Sequence, residues 1–356
     1  MNAAVLILIS LVLGLLCIRR LRSYDLHEQE PLRSMAAVTL WGGWISILIS
    51  LFLYRILQES GITIHAGKPF TLFYVGFVEE LAKLAALLLS WPIIRKEMNE
   101  PADGPIYIAC VALGFSLIEN YFYALANPDV TFLIAIRLVL CTPMHIAFCL
   151  FMGLAFFWVF RCRGSIGLLI GAYLLAGIYH ALYDIFVGYI WLLPGLYFIL
   201  RSAYSWMYNI MGYTAARSPF RHSLSEFIHS VQDPPVEPGL ECLDCGSTAP
   251  KPTYREGRIA IQHCESCGTF LCTPAVLHRI VHRYGSLFGS LKKHVKKITG
   301  NKHMQVLIGG NRINLHKRTA CFRLDEFNAV LEETSRSLAE RLEQKWWFPF
   351  RGESVE

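Results

Sequence analysis

PFTLFYVGFVEELAKLAALLLSWPII, residues 69–94, is the stretch from which the rest of the chain can be read. Twenty-six residues at 1.5 Å rise exceed the roughly 30 Å of hydrocarbon that a spanning helix must cross, yet Glu79, Glu80 and Lys83 sit at its centre. Ionised groups at bilayer depth cost about 3 kcal/mol each on insertion scales, so they must face one another or a water-filled cavity. Three further apolar stretches carry polar groups at similar depth: Glu119 with Asn120, Arg137 with His145, and His180 with Asp184. Together they describe a polar chamber inside a polytopic, all-α membrane protein.

Composition divides the chain. Residues 1–213 hold 13 Lys or Arg and 12 Asp or Glu, about half the charge density of a soluble domain, while residues 214–356 hold 20 and 15 and are ordinary in this respect. The net charge of +6 therefore sits almost wholly in the second part. A membrane domain over 1–213 is expected, followed by a linker over 214–240, a zinc ribbon over 241–275, and a basic segment, hairpin and C-terminal helix over 276–356.

Apolar runs of about 20 residues mark seven expected spans: 3–18, 35–57, 69–94, 106–126, 131–160, 166–187 and 189–213. Arg19, Arg20, Arg22 and Arg33 lie in the first loop, Arg95 and Lys96 in the third, and Arg161 and Arg163 in the fifth, whereas the second, fourth and sixth loops offer only Lys68. Lys and Arg are retained on the cytoplasmic side, which predicts a multi-pass protein of the cytoplasmic membrane with its N-terminus outside and its tail in the cytosol. The arginines follow the first apolar run rather than precede it, unlike those of a cleaved signal peptide. With that topology Glu79, Glu119, His145 and His180 lie about 10 to 20 Å from the outer ends of their spans, so one shared site is possible. Glu79 and Lys83 are four residues apart, as are His180 and Asp184, so each pair occupies one helix face. Pro143, two residues before His145, predicts a kink or a freed carbonyl.

The run Phe77-Val78-Glu79-Glu80-Leu81-Ala82-Lys83, then Gly114-Phe115-Ser116-Leu117-Ile118-Glu119-Asn120-Tyr121-Phe122-Tyr123, then Arg137 with His145 and Gly153, then His180-Ala181-Leu182-Tyr183-Asp184, resembles the four-motif pattern of PrsW-type intramembrane proteases. These are relatives of the CAAX prenyl proteases and bacteriocin-processing enzymes. The resemblance covers residues 70–187 and leaves the tail outside it. It implies an intramembrane endopeptidase that cuts a membrane protein or peptide substrate, of the anti-sigma-factor or another single-span kind, in the outer half of the bilayer. Zinc-dependent and metal-free, glutamate-dependent mechanisms are both compatible with it.

Such chemistry needs a base for water, a group to stabilise the oxyanion and a proton donor for the leaving amine. Glu79 or Glu80 is the natural base, with Lys83 beside them. His145 and His180 suit the carbonyl or the leaving group, and Glu119 and Asn120 would orient water or a histidine. Should a catalytic zinc be present, the two histidines and one or two of the glutamates are its ligands. Asp184 supports His180, and Arg137 is structural or binds a substrate carboxylate. A membrane sensor or a proton or ion transporter could use the same chamber without hydrolysis.

The tail opens on Pro234, Pro235, Pro238 and Gly239, then Cys242-x-x-Cys245, eighteen residues, and Cys264-x-x-Cys267. That spacing is a zinc ribbon's, in which four thiolates close a structural zinc site and fold a module too small to hold itself together. Cys272 and Cys321 read as small apolar side chains. Residues 279–302 hold seven Lys or Arg and no acid, with aromatic and aliphatic residues interleaved, which predicts a basic helix against anionic lipid, nucleic acid being the alternative partner. A cytosolic regulatory protein is a further expected partner of the tail. Gln305–Ile308 and Ile313–Leu315 around Gly309-Gly310-Asn311 predict a hairpin, and Asp325 is expected to cap a last helix with an apolar stripe.

Overall fold

The computed structural model describes residues 3–62, 69–126, 135, 137–188, 192–285, 295–299, 304–308, 311–315 and 319–345. These fall into two compact units, one up to Thr214 and one from Ala215.

The first unit is helical: α1 Ala3–Arg22, α2 Leu32–Glu59, α3 Pro69–Leu89, a short α4 Trp91–Ile94, α5 Asp103–Ala126, a π turn over Arg137–Cys141 running directly into α6 Thr142–Arg161, then α7 Ile166–Gly188 and α8 Leu193–Ala216. Among the described residues, four helices are long and apolar enough to cross a membrane by length and composition, Leu32–Glu59, Asp103–Ala126, Arg137–Arg161 and Ile166–Gly188. The expected third span divides at Ser90, where α3 gives way to α4 with Pro92 in its first turn, a position that needs no N–H donor. Residues 131–134 and 136 of the expected fifth span, residues 189–191 of the seventh and Lys68 lie outside the described residues.

Apolar on every side, α5 is buried on every side over its first fourteen residues, and it packs against α1, α2, α3 and α6. Two motif glycines permit this. A Cβ at Gly114 would fall on the carbonyl of Thr39 in α2, and one at Gly153 in α6 would fall on the carbonyl of Gly104 in α5. On the outside, α7 presents Ile170, Leu174 and Ile178 at helical spacing, and α2 presents Leu40, Trp44, Leu48 and Phe52. The same helices turn Ser46, Ser50 and His180 inward. A surface this apolar suits lipid rather than water.

Between α1 and α2, and before α5, four acids are buried together: Asp25, Glu30, Glu100 and Asp103. Asp25 accepts from the Glu30 N–H at 2.8 Å, Asp103 accepts from the N–H groups of Asn99 and Glu100 at 2.7 Å, and the Tyr107 hydroxyl donates to Glu30. Burial pushes the carboxyl of Asp25 up to about 6 and that of Glu30 up to about 7.

The second unit is an eight-stranded antiparallel sheet, order β1-β2-β3-β4-β8-β7-β6-β5, with three helices. The strands are β1 Val236–Glu237, β2 Lys251–Glu256, β3 Ile259–Cys264, β4 Thr269–Cys272, β5 Val295–Thr299, β6 Met304–Ile308, β7 Asn311–Leu315 and β8 Ala320–Phe322. The helices are α9 Leu224–Ser230, α10 Pro274–Tyr284 and α11 Leu324–Glu343. Ser223 and Glu226 form a reciprocal capping box on α9, and Thr273 caps α10 with Pro274 at its first position. Leu224 and Phe227, Ile280 and Tyr284, and Phe327 and Leu331 bring the three helices into one core with Ile261 and Phe270 of the sheet.

Three expectations for the tail are corrected. The basic segment is not one helix: α10 ends at Tyr284, and Lys296 and Lys297 lie on β5, which pairs with β6. Residues 286–294 and 300–302 lie outside the described residues, as do Gly309 and Gly310 of the hairpin whose strands are β6 and β7. Asp325 does not cap α11; the capping position is Arg323, and Asp325 stands in the first turn, where a negative charge complements the helix dipole. Cys321, expected as filler, accepts a hydrogen bond at its sulfur from the Leu243 N–H at 3.4 Å, beside the first cysteine pair.

Candidate active site and metal centres

All nine polar residues expected in the membrane chamber come together. α3 supplies Glu79, Glu80 and Lys83, α5 supplies Glu119 and Asn120, the π turn supplies Arg137, α6 supplies His145, and α7 supplies His180 and Asp184. Lys83, Glu80 and Asn120 are completely buried, and Glu79, His145 and His180 nearly so.

Glu80 is fixed from two sides. Lys83 Nζ donates to its Oε1 at 2.6 Å, and His180 Nδ1 lies 2.8 Å from the same oxygen. A carboxylate only accepts, so His180 carries its proton on Nδ1 and turns Nε2 away from Glu80. That nitrogen is 3.7 Å from Glu79 Oε2 and 3.7 Å from Asp184 Oδ2. Lys83 also reaches His145 Nδ1 at 3.0 Å, so His145 accepts there and turns its Nε2 toward Glu119 Oε2, 3.2 Å away. The two imidazoles meet edge to face, ring centres 4.9 Å apart.

Glu119 is held in turn by Arg137, whose Nη2 is 2.8 Å from Oε2 and whose Nε donates to Asn120 at 2.9 Å. The guanidinium stacks 3.6 Å over the ring of Tyr123. Asn120 donates to Thr142 at 3.3 Å, and Thr142 pairs with Ser116 at 2.8 Å. Arg137 thus braces the acid that orients His145. Pro143 lies in the first turn of α6, where a missing N–H is tolerated, so the expected kink takes the form of the π turn ahead of it.

Glu79 differs from its neighbour in sequence. Its Oε1 accepts from the hydroxyl of Tyr54, on α2, at 2.9 Å, while Oε2 has no hydrogen-bond donor among the described residues. It opens on a cleft of about 690 Å³ between α2, α3 and α5, in whose wall Glu119, Phe115 and Tyr123 also stand. Tyr54 and Thr142 carry no motif spacing, and no signal in the sequence set them apart, while Ser116 stood inside the second motif without a role.

Among the described residues, three groups each bring their ligating atoms within 4.8 Å of one another: Glu79, His145 and His180; Cys242, Cys245, Cys264 and Cys267; and Asp25, Glu100 and Asp103. The first joins one carboxylate to two imidazoles, a set suited to a divalent transition metal, with Glu80 behind His180 as the outer carboxylate such histidines commonly have. In the second, Cys242 and Cys267 are 3.5 Å apart at sulfur, and Cys245 and Cys264 3.6 Å. Sulfurs on a tetrahedral zinc lie about 3.8 Å apart, and those of a disulfide about 2 Å, so the thiols suit a metal and not a bridge. Each pair sits on a tight turn closed by a glycine at positive φ, Gly246 at 74° and Gly268 at 73°, whose N–H bonds the first cysteine's carbonyl at 2.8 Å.

A family profile described as PrsW family intramembrane metalloprotease matches residues 30–212, just over half of the chain and all four motif helices. The chain belongs to this family. It is 31% identical over 151 residues to a protein named Protease PrsW from Clostridioides difficile, covering 42% of this chain and 62% of that one. It is 30% identical over 132 residues to a Protease PrsW of Geobacillus kaustophilus, covering 37% and 56%. A third Protease PrsW, from Bacillus subtilis, is 27% identical over 106 residues, covering 29% and 46%. The chain thus spans between 46% and 62% of the length of these curated relatives. No solved structure matches it. Within this PrsW-family chain the four-thiol unit lies beyond the matched residues.

Proposed function

We propose that the chain is an intramembrane endopeptidase in which Glu79 is the working carboxylate. The observation that carries this reading is the convergence of Glu79, His145 and His180, from three helices, with Glu79 also standing in the wall of a cleft. Glu79 Oε2 receives the proton of the attacking water, since Glu79 alone of the two adjacent carboxylates lines the cleft and is free of the Lys83 and His180 hydrogen bonds that hold Glu80. The proton that Glu79 takes from water passes to His180 Nε2, next to that oxygen, and from there to the leaving amine, while Asp184 and Glu80 keep the ring in place. Lys83 fixes Glu80 and His145 together, and the Arg137–Glu119 pair fixes the far nitrogen of His145. Glu79, His145 and His180 would hold a divalent metal with His145 released from Lys83 or Glu119, and the metal would then polarise the scissile carbonyl.

The substrate class is a membrane protein with a single span, cut in the outer half of the bilayer, and the topology is seven spans with the N-terminus outside. The four thiols of the cytosolic tail hold one structural zinc, and the tail serves as a docking or regulatory module for a cytosolic protein, with its lysines next to anionic lipid.

The test is turnover of a single-span reporter peptide by the full chain in liposomes. Wild type is expected to cleave, with Glu79→Gln and His180→Ala at least about a hundredfold slower at unchanged expression and thermal stability. Cleavage at the wild-type rate by Glu79→Gln would instead favour a sensor or transporter built on the same chamber.

A further inference from the structure

One side chain in the cleft is left without a task by the chemistry above. α2 contributes Ile47, Ser50, Tyr54 and Gln58, spaced at about one helical turn, to the cleft wall opposite Glu79. A hydroxyl inside an apolar helix ordinarily satisfies itself by bonding a carbonyl one turn back. On this helix Thr39 does so to Met35 and Ser46 to Gly43, each at 2.9 Å. Ser50 does not: it is 3% exposed, and its Oγ has no hydrogen-bond partner among the described residues. A buried hydroxyl left unmet costs about 1–3 kcal/mol, which a bound group could recover.

We propose that α2 is the helix that sets the substrate's register, an extended peptide lying along its Ser50–Tyr54–Gln58 face with Ser50 hydrogen-bonded to the substrate main chain and Tyr54 holding Glu79 for attack. The inference rests on the endopeptidase reading and assigns it a binding wall. A substrate still coiled as a helix has its main-chain N–H and C=O groups paired internally and is 10–12 Å wide, so the group that meets Ser50 belongs to an unwound segment. The cleft, about 690 Å³, is within the range of sites that enclose a ligand, and its walls at Ile47, Phe115 and Phe122 are apolar as a membrane segment requires. A single hydroxyl, which both donates and accepts, reads main chain whatever the side chains are. Tyr54 fixes Oε1 of Glu79 and leaves Oε2 as the oxygen presented to water, which makes it a positioning residue for the carboxylate.

The two hydroxyls then separate kinetically. In liposomes, with a fluorescent single-span peptide as probe, Ser50→Ala should raise KM about five- to tenfold at unchanged kcat, and Ser50→Thr, which keeps the hydroxyl, should restore it. Tyr54→Phe should lower kcat about tenfold at unchanged KM. Independently of turnover, a photo-crosslinking residue at Gln58 in the Glu79→Gln chain should capture the peptide, while the same residue at Leu48, on the outward face of α2, should not. An unchanged KM in Ser50→Ala, or equal capture at both positions, overturns the proposal. Capture at Gln58 alone without cleavage by wild type would uphold the α2 wall and remove the endopeptidase reading instead.

Discussion

Cys242, Cys245, Cys264 and Cys267 come from twenty-six consecutive residues, whereas Glu79, His145 and His180 come from three helices spread over one hundred and two. The thiol site is made by two tight turns, one in the β1–β2 connection and one between β3 and β4. The chamber is made by helix packing, and each of its groups is held by a partner on another helix: Glu80 by His180, Lys83 by His145, Glu119 by Arg137. A local site stands or falls as one unit with its ligand. A dispersed site can lose one group and keep its frame, provided the group lost is not part of the bracing.

The largest expected effect is on the local site. Structural zinc contributes on the order of 10 kcal/mol to the folding of small modules, so Cys264→Ser should lose the metal and unfold the strands around it. Metal analysis and limited proteolysis of the full chain check this; intact disulfides and no zinc in the wild type would break the comparison at its first term.

In the chamber the adjacent glutamates should part company. Glu79→Gln should leave the thermal unfolding midpoint in place and cut cleavage by at least about a hundredfold. Glu80→Gln removes the partner of a fully buried ammonium, a loss of about 3–5 kcal/mol, so it should lower the midpoint as well as the rate. Equal midpoints for the two variants would mean that the division between a working and a bracing carboxylate is wrong.

Asp184, a quarter exposed at its side chain and 3.7 Å from His180, stands at the edge of this network. Asp184→Asn should slow cleavage about tenfold and leave folding alone, the ordinary size of an outer-partner loss.

A pH slope is also expected from the acid cluster beside α1 and α2. Asp25 and Glu30 keep their protons up to about 6 and about 7 in the folded chain, against about 4 unfolded. The unfolded chain then releases protons first, and the stability of the membrane unit should fall as pH rises from about 4 to about 7 and level off above. Asp25→Asn and Glu30→Gln should each flatten this decline in detergent melts between pH 5 and 8.

Legibility followed the same division. The ribbon was readable because two Cys-x-x-Cys pairs place four ligands by local geometry alone. The chamber was readable because charge at bilayer depth is costly, which singled out Glu79, Glu80, Lys83, Glu119, His145 and His180 without any contact being known. Tyr54, Ser50 and Thr142 were not readable, since one hydroxyl in an apolar helix carries no comparable cost and bonds its own backbone as easily as a neighbour. Nor could two adjacent acids be told apart, because what separates them is the cross-helix partners His180 and Tyr54. In the tail, β4 and β8 pair across almost fifty residues, and no local pattern announces that the ribbon and the later hairpin share one sheet.

The π turn over Arg137–Cys141 has a consequence for how the family should be aligned. Eight residues of uninterrupted α-helix rotate through 800°, which would leave Arg137 and His145 about 80° apart. A π turn, closing from i to i+5, takes in roughly one residue more per turn and returns the two to the same side, where both meet Glu119. Val139 and Leu140, on the exposed side of that turn, are in effect a spacer. Deleting one of them would let the segment wind as plain α-helix, seven residues and 700° from Arg137 to His145, which keeps the two within about 20° of one side and Arg137 on its acid. Relatives one residue shorter between these two positions therefore carry the same site on a differently wound helix, and the gap belongs inside the turn.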